Sequence, residues 1–218
     1  MADAGSGRSS SAGLAERRRA DLTDAAFDVF VEDGYERAAV TEIARRAGMG
    51  QGTLYRYVGG KRELLELVFD RCVDELIAAV APDELVDIVA GDDDVVPQQV
   101  IDQLGERLFR LVDQKPGLLK IITVQAGAVD EELRYRIQSL VHTFDSMIGR
   151  ALDEAAKKGV GGLGTKEKDR LLARLLPALV LPGMTTALTG EGDADRRNSY
   201  VEATGQLLRH GIAAKARN

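Results

Sequence analysis

The segment from Gln51 to Tyr57 places several hydrogen-bonding side chains within about two helical turns. They comprise a glutamine amide, threonine and tyrosine hydroxyls, and the guanidinium of Arg56. A glutamine amide can read the edge of a base, hydroxyl groups can bind phosphates, and a glycine such as Gly52 allows a close approach of the backbone. The segment therefore has the chemistry of a helix that contacts DNA.

The charge distribution bears on this interpretation. The net charge of the chain is −6, which is unusual for a protein that binds a phosphate backbone. Between Arg37 and Arg62, however, six basic residues accompany a single acid, Glu42, so this stretch carries five excess positive charges. Solvated helix faces would give the same local excess, and the charge alone leaves both interpretations open.

The elements around this segment are indicated by apolar spacing and by glycines. Over 14–33 the apolar residues recur as in an amphipathic helix, with Gly34 at its end, namely Leu22, Ala25, Ala26, Val29 and Phe30. A short helix is predicted over 40–47 and a second over 51–57, before a break at Gly59 and Gly60.

The two short helices fit a helix-turn-helix. The first has one apolar face, on which the small side chain of Ala44 permits a second helix to approach closely. Gly48 can supply the positive φ that the turn requires, and Met49 and Leu54 are expected to pack against the first helix. The polar residues of 51–57 would then face outward.

The remainder of the chain is also predicted to be helical. A helix over 61–81 should end at Pro82, and further helices are expected over 83–90, 98–114, 118–128, 131–158, 166–190 and 194–214. No segment alternates with a period of two for long enough to form a strand, so the predicted fold class is all-α. Residues 1–13 are expected to be a disordered tail, 14–60 a DNA-binding domain with the start of a connecting helix over 61–81, and 82–218 a larger helical domain.

Residues that could support catalysis or bind metal are sparse. The histidines are His142 and His210, and a single cysteine, Cys72, excludes an intrachain disulfide and a thiolate cluster. The run 159–164 matches GxGxxG, but a nucleotide site needs a strand before the glycines, whereas a helix is predicted there. We expect no enzyme activity, no cofactor and no metal. Because no apolar run could span a membrane and no signal peptide is evident, a cytoplasmic location is expected.

The run from Glu16 to Ala81 resembles the N-terminal domain of the TetR family of transcriptional regulators. The resemblance covers about a third of the chain and rests on residues in the family's order and spacing, which are Ala25 to Phe30, Gly34-Tyr35, Ile43-Ala44, Ala47-Gly48, Gly52 to Tyr55, and Lys61 to Leu64. It implies an N-terminal three-helix helix-turn-helix domain, followed by a larger helical domain for ligand binding and dimerisation.

The resemblance also implies which residues contact double-stranded DNA. The helix at 51–57 would enter the major groove and place four residues nearest the bases, which are Gln51, Gly52, Thr53 and Arg56. Phosphates would be held by Thr41, Tyr55, Tyr57 and Lys61, and Arg45 completes the predicted DNA-binding set.

At three positions the chain departs from the family's usual residues. Ala39 lies where a threonine or serine cap is usual, Gly50 replaces the serine that caps the recognition helix, and Val58 replaces a phenylalanine. Because a hydroxyl cap is typically worth about 1 kcal/mol, these departures should weaken local rigidity.

In the larger domain, the resemblance implies that the last two helices pair with their symmetry mates in a homodimer. The predicted interface residues are Leu172, Leu175, Leu176, Leu179, Tyr200, Thr204, Leu207 and Leu208. A two-fold dimer would present two recognition helices to a palindromic operator.

A ligand pocket is expected where polar groups lie among apolar ones. Candidates are Thr123 and Gln125, with a wall formed by Phe109, Phe144 and Met147. The scarcity of charge there favours a neutral or amphipathic effector of unknown identity. Together these features predict a repressor that a small-molecule effector releases from its operator. The alternative is a DNA-binding regulator whose body only dimerises or binds a protein partner, and activation instead of repression stays open.

Overall fold

The computed structural model describes residues 6–81, 84, 97–126, 129–157, 199, 202–203 and 206. Within those residues every regular element is a helix, which confirms the all-α fold class. The helix predicted over 166–190 and the glycine-rich run 159–164 lie outside the described residues, as do most residues of the helices predicted over 83–90 and 194–214.

The first four helices have the predicted order. They are α1 (Ser6–Asp33), α2 (Val40–Arg46), α3 (Gln51–Leu54) and α4 (Lys61–Val80). The regular turns of α3 end three residues before the predicted Tyr57. The amides of Arg56 and Tyr57 bond to carbonyls three residues back, at 3.1 and 2.9 Å, so the helix tightens at its end.

The core of the N-terminal part is formed by the apolar face predicted for α1. Leu22, Ala26, Val29 and Phe30 are fully buried, and Ala25 is nearly so. They are joined in the core by residues of the next three helices, including Ile43, Leu54, Leu64, Leu65 and Val68. The shared core fixes α2 and α3 on the support of α1 and α4.

The helix α1 begins at Ser6, so residues 6–13, which were expected to belong to a disordered tail, are helical in the structure. Extending an existing helix costs much less than starting one, because each added residue gains a hydrogen bond without a new nucleus. The packed turns around Leu22 therefore allow the helix to extend toward the N-terminus through small polar residues.

Two glycines shape the turns as predicted. Gly34 follows α1 with a φ of +82°, and Gly48 lies between α2 and α3 with a φ of +66°. Residues with a Cβ rarely adopt such angles. The Gly48 amide bonds to the Arg45 carbonyl and the Met49 amide to the Ala44 carbonyl, at 3.1 and 3.0 Å, which closes the turn.

The central part of the chain forms α5 (Pro97–Gln114), α6 (Pro116–Leu119), a π-helical segment (Lys120–Ala126) and α7 (Glu131–Lys157). One α-helix was predicted over 118–128, and the structure differs by beginning a short helix at Pro116 and then widening into π geometry. Ile121 and Ala126 are both fully buried although they are five residues apart. The wider helix allows residues at that spacing to lie on one side.

The chain divides into two compact units that are not contiguous in sequence. The head unit consists of Met1–Val73 and Lys120–Arg134, and the body unit of Asp74–Leu119 and Tyr135–Asn218. The sequence had suggested a single boundary, between residues 81 and 82. Sequence periodicity does not show which distant segment packs on the head, so the second stretch, 120–134, was not expected there. In the residues that the structure describes, no helix is long and apolar enough to cross a membrane.

Candidate nucleic-acid interface

The recognition surface is the exposed side of α3 and of the turn that follows it. Gln51, Gly52, Tyr55 and Arg56 are exposed, and Tyr55 retains 49% of its accessible surface. Thr53 and Tyr57 are half-buried, whereas Leu54 is fully buried. The buried Leu54 anchors the helix in the core, and the exposed polar groups around it form a surface that can make hydrogen bonds with a ligand.

The support for this surface comes from α2. The buried Ala44 has no long side chain, and its carbonyl accepts a hydrogen bond from the backbone of Met49. Met49 is half-buried and Leu54 fully buried, as predicted for residues that pack against α2. Val58 replaces the family's usual phenylalanine. Only 3% of its surface is exposed, so it still belongs to the core.

Both short helices lack side-chain caps. Ala39 and Gly50 hold the N-cap positions of α2 and α3 in extended conformations, with ψ of 127° and 153°, and neither provides a side-chain hydrogen bond. Their carbonyls still accept the first helical bonds, to Ile43 and Leu54. The remaining amide groups at these helix starts are left for water or a ligand.

Arg45 and Arg46 share carboxylates at the exposed side of α2. Arg45 donates to both oxygens of Glu42 at 2.8 and 2.7 Å, and Arg46 donates to Glu42 at 2.8 Å and to both oxygens of Glu32 at 2.8 and 2.7 Å. Hydrogen bonds from Arg45 and then Arg46 lower the pKa of Glu42 to about 2. Glu42 therefore stays ionised at neutral pH and would lose these pairings only as the pH falls through about 2.

The ammonium of Lys61 is directed at the loop between α1 and α2. Its Nζ donates to the carbonyls of Tyr35, Glu36 and Ala38 at 2.8, 3.0 and 3.3 Å, and lies 4.6 Å from the centroid of the Tyr35 ring. A lysine ammonium has three protons, so these carbonyls engage all of its donors. In this arrangement Lys61 fastens the loop before α2 and has no donor left for a phosphate.

The turn between α3 and α4 is fixed by Glu63. One oxygen of its carboxylate accepts a hydrogen bond from the Gly59 amide at 2.6 Å, and the other from Arg19 of α1 at 2.8 Å. A single side chain thus connects α1, the turn and the first turn of α4. The exposed residues of α3 end directly before this connected turn.

Arg62 extends the connections to the segment 120–134. Its Nε donates to Asp130 Oδ2 at 2.5 Å, and its Nη2 lies 3.4 Å from Glu132. Its Nη1 forms an ion pair with Glu66 Oε1 at 2.8 Å, outside hydrogen-bond geometry. The amide of Leu133 and then Arg62 lower the pKa of Asp130, so this carboxylate is ionised at neutral pH.

Of the predicted DNA-binding residues, six are exposed in the head unit. Thr41 and Arg45 of α2 are exposed, as are Gln51, Gly52, Tyr55 and Arg56. Lys61 is the residue whose contacts differ from the expected ones. The ion pairs and hydrogen bonds of Glu42, Glu63, Arg62 and Asp130 were not predicted, although the spacing of Glu42 to Arg45 and Arg46 is that of helical ion pairs.

The candidate ligand residues are distributed over both units. Phe109 and Phe144 are half-buried and Met147 is buried in the body unit, whereas Thr123 is exposed in the π-helical segment of the head unit. The side chain of Gln125 lies outside the described part, as do all the predicted dimer-interface residues, which are Leu172, Leu175, Leu176, Leu179, Tyr200, Thr204, Leu207 and Leu208. Among the described residues, no group of histidine, cysteine and carboxylate side chains could hold a metal, and Cys72 is buried.

Comparison with known proteins places these features in a family. The family model described as bacterial regulatory proteins, tetR family, matches residues 22–68. The chain is also 31% identical, over 126 residues, to the HTH-type transcriptional regulator TtgW of Pseudomonas putida, covering 56% of this chain and 92% of that relative. The chain belongs to the TetR family. Its head is the helix-turn-helix domain of that family.

Other relatives match in different parts. The HTH-type transcriptional activator FasR of Mycolicibacterium smegmatis is 43% identical over 65 residues, 30% of each protein, so this chain spans less than a third of FasR. The crystal structure of the regulator FadR of Bacillus subtilis, in complex with stearoyl-CoA, superposes with a TM-score of 0.69 and 20% identity over 88% of this chain and 98% of FadR. The TetR fold thus extends from the head through the body.

Proposed function

We propose that this TetR-family protein is a dimeric repressor that binds a palindromic operator and is released by a small-molecule effector. The observation that carries the proposal is the surface of α3, where exposed Gln51, Tyr55 and Arg56 surround the fully buried Leu54. Such a helix can enter a major groove without loss of its packing. We further propose that the protein acts in the cytoplasm and has no catalytic activity of its own.

The proposed DNA contacts follow from exposure and from the partners of each side chain. Gln51, Gly52, Thr53 and Arg56 would face base edges, and the hydroxyls of Thr41, Tyr55 and Tyr57 would hold phosphates. Arg45 would reach a phosphate by exchanging its carboxylate partner Glu42 for the DNA. Lys61 contributes by holding the α1–α2 loop in place.

Two copies are needed for a palindrome. We propose that the helices predicted over 166–190 and 194–214 pair with their symmetry mates and set the distance between the two heads. Half-sites would then lie one helical turn of DNA apart, or a multiple of it.

We propose an amphipathic effector that binds in the body and favours a state with low operator affinity. The similarity of fold to FadR, whose structure holds stearoyl-CoA, makes a long-chain acyl-CoA the first compound to test. Phe109, Phe144 and Met147, all in the body unit, would supply the apolar wall. Such a ligand can shift the equilibrium only by its difference in affinity for the two states.

DNA binding can be tested with duplexes from the region upstream of the protein's own gene, over a series of salt concentrations. The variant Tyr55→Ala should weaken specific binding about fivefold, as expected for one lost hydrogen bond of about 1 kcal/mol. The variant Tyr135→Ala is the matched control, because Tyr135 is also an exposed tyrosine, at 63%, but lies on α7. Equal affinities of the two variants would contradict the proposed recognition surface.

The effector can then be tested by adding stearoyl-CoA to the protein–DNA complex. Release of the DNA at a concentration that saturates the protein supports the sensor. Tight binding to DNA that neither acyl-CoA nor a panel of other amphipathic compounds reduces would favour the alternative, a regulator whose body only dimerises or binds a protein partner.

A further inference from the structure

The charges of α1 are divided between its two parts. From Ser6 to Arg19 the helix carries four arginines and one acid, and from Ala20 to Asp33 it carries five acids and no base. A helix is stabilised by acids in its first turn and by bases in its last turn. The first turn of α1 has no acid and its last turn has no base, so the stability of the helix itself does not explain this division of charge.

The N-terminal part of α1 precedes the residues that pack in the core of the head. Among the described side chains of α1 the first buried one is Leu22, and Leu14 retains 49% of its accessible surface. Residues 6–13 comprise four serines, two glycines, one arginine and one alanine, and serine and glycine are poor helix formers. Core packing therefore does not require the arginines of 17–19.

Two ion pairs show the direction in which this part of α1 points. Arg19 pairs with Glu63 in the first turn of α4, at 2.8 Å, and Asp24 pairs with Arg71, about two turns further along α4. Since both partners advance together, α1 and α4 run in the same direction where they touch. The helix α4 begins after the turn that follows the recognition surface. Residues 6–18 of α1, which we call the basic arm, therefore extend past the start of α4 on the side of the recognition surface, over about 20 Å.

The arginines at the base of the basic arm differ in their partners. Arg19 is held by Glu63, whereas Arg18 lies 3.6 Å from Asp21 in a pair whose side chains keep 40% and 52% of their accessible surface. Arg17 is exposed, and in the part of the chain that the structure describes no residue forms an ion pair or hydrogen bond with it. Exposed ion pairs contribute little to stability, so the pair of Arg18 is easily exchanged. The guanidinium groups of Arg17 and Arg18 are thus open to an anionic partner.

We infer that the basic arm binds the phosphate backbone of DNA outside the sequence that α3 reads, and so adds a second contact to each half of the operator. Charge and position both favour DNA as the partner, because the arm is basic within an acidic chain and lies beside the recognition surface. At about 3.4 Å per base pair, an arm of about 20 Å can follow roughly six flanking base pairs. This inference rests on the proposed function, since it enlarges the same DNA interface.

The test compares two duplexes from the region upstream of the protein's own gene, with the full-length protein. The short duplex ends at the outer edges of the two half-sites, and the long one keeps about ten further base pairs on each side, more than the arm can follow. Arg17→Gln should bind the long duplex roughly two- to fivefold more weakly than the wild type does. Its salt slope on that duplex should be lower by about 0.9 for each protomer, and the short duplex should bind both proteins equally.

The matched control is Arg110→Gln, which removes an exposed arginine from α5 in the body unit and should bind both duplexes as the wild type does. Tyr55→Ala should weaken binding to both duplexes alike, and the Tm of Arg17→Gln should equal that of the wild type. Equal affinities of Arg17→Gln and the wild type for the long duplex, or the same loss on both duplexes, would overturn the inference alone. Absence of specific binding by the wild type would overturn the proposed function and with it the inference.

Discussion

Replacing Lys61 with methionine should destabilise the head, because the ammonium is held by backbone carbonyls. Methionine keeps the apolar stem of lysine and removes the charge. The lost interactions are three hydrogen bonds at 2.8, 3.0 and 3.3 Å and a cation over the Tyr35 ring at 4.6 Å. A lysine whose donors face a phosphate would instead contribute to DNA affinity and little to stability.

The magnitude follows from the exposure of the site. A hydrogen bond to a charged group contributes about 1.5–3 kcal/mol when well formed. Because Lys61 is only half-buried, we count the three bonds together as one such interaction. For a chain of this size, the loss corresponds to a Tm lower by roughly 3 to 12 °C.

Two measurements on the same protein samples separate the two roles of Lys61. The first is thermal unfolding followed by circular dichroism, and the second is the dependence of DNA affinity on salt concentration. A lost phosphate contact lowers the slope of log affinity against log salt by about 0.9, whereas a lost loop contact leaves the slope unchanged. The matched variant Arg45→Met removes the cation that we propose for a phosphate and should lower the slope by about 0.9. Its Tm should change little, because the Arg45 side chain keeps 72% of its accessible surface and its ion pair with Glu42 contributes little to stability. An unchanged Tm in Lys61→Met, together with a slope reduced as in Arg45→Met, would refute the assignment of Lys61 to the loop.

Three further substitutions test the geometry of the head. Ala39→Thr should raise the free energy of unfolding by about 1 kcal/mol, because threonine supplies a side-chain cap to α2. Gly50→Ser should raise it by only a few tenths of a kcal/mol, because glycine is already a fair N-cap residue. Chemical denaturation can measure both changes, and equal gains would contradict the capping argument. Gly48→Ala should lower the free energy of unfolding by about 1–2 kcal/mol, because alanine rarely adopts the φ of +66°. No atom lies within 4 Å of the added Cβ, so a steric clash does not contribute. Gly48→Asn should lower the free energy of unfolding by less in the same assay, because asparagine tolerates a positive φ better. Glu42→Gln should strengthen DNA binding roughly two- to fivefold, because Arg45 then reaches a phosphate without first leaving its carboxylate partner, and an unchanged affinity would contradict this exchange.

Features of the head that depend on neighbouring residues could be predicted from the sequence. The buried face of α1, the ends of helices at Gly34 and Gly48, and the outward position of Gln51 all follow from local periodicity and backbone preference. The family resemblance, confirmed by the match over 22–68, supplied the function of these elements.

Contacts between distant segments could not be predicted, for a physical reason. Nothing in the sequence around Lys61 shows that three carbonyls, 23 to 26 residues away, will converge on its ammonium. The pairing of Arg62 with Asp130 joins residues 68 apart, and its geometry depends on the π-helical segment. Hydrophobic periodicity indicates which face of a helix is buried, but it does not identify the surface that covers that face.

The composition of the head unit from two separate stretches of chain limits how this protein can be recombined. Ile121, Ile122, Ala126 and Leu133 are buried residues of the second stretch, 120–134, and a fragment ending in α4 would lack them. The surface that they cover would then be open to water, which favours aggregation of such a fragment. A chimaera that gives this head to another regulator's body should therefore carry residues 120–134 with it, and gene fusions that join two family members within α4 are expected to be purged by selection.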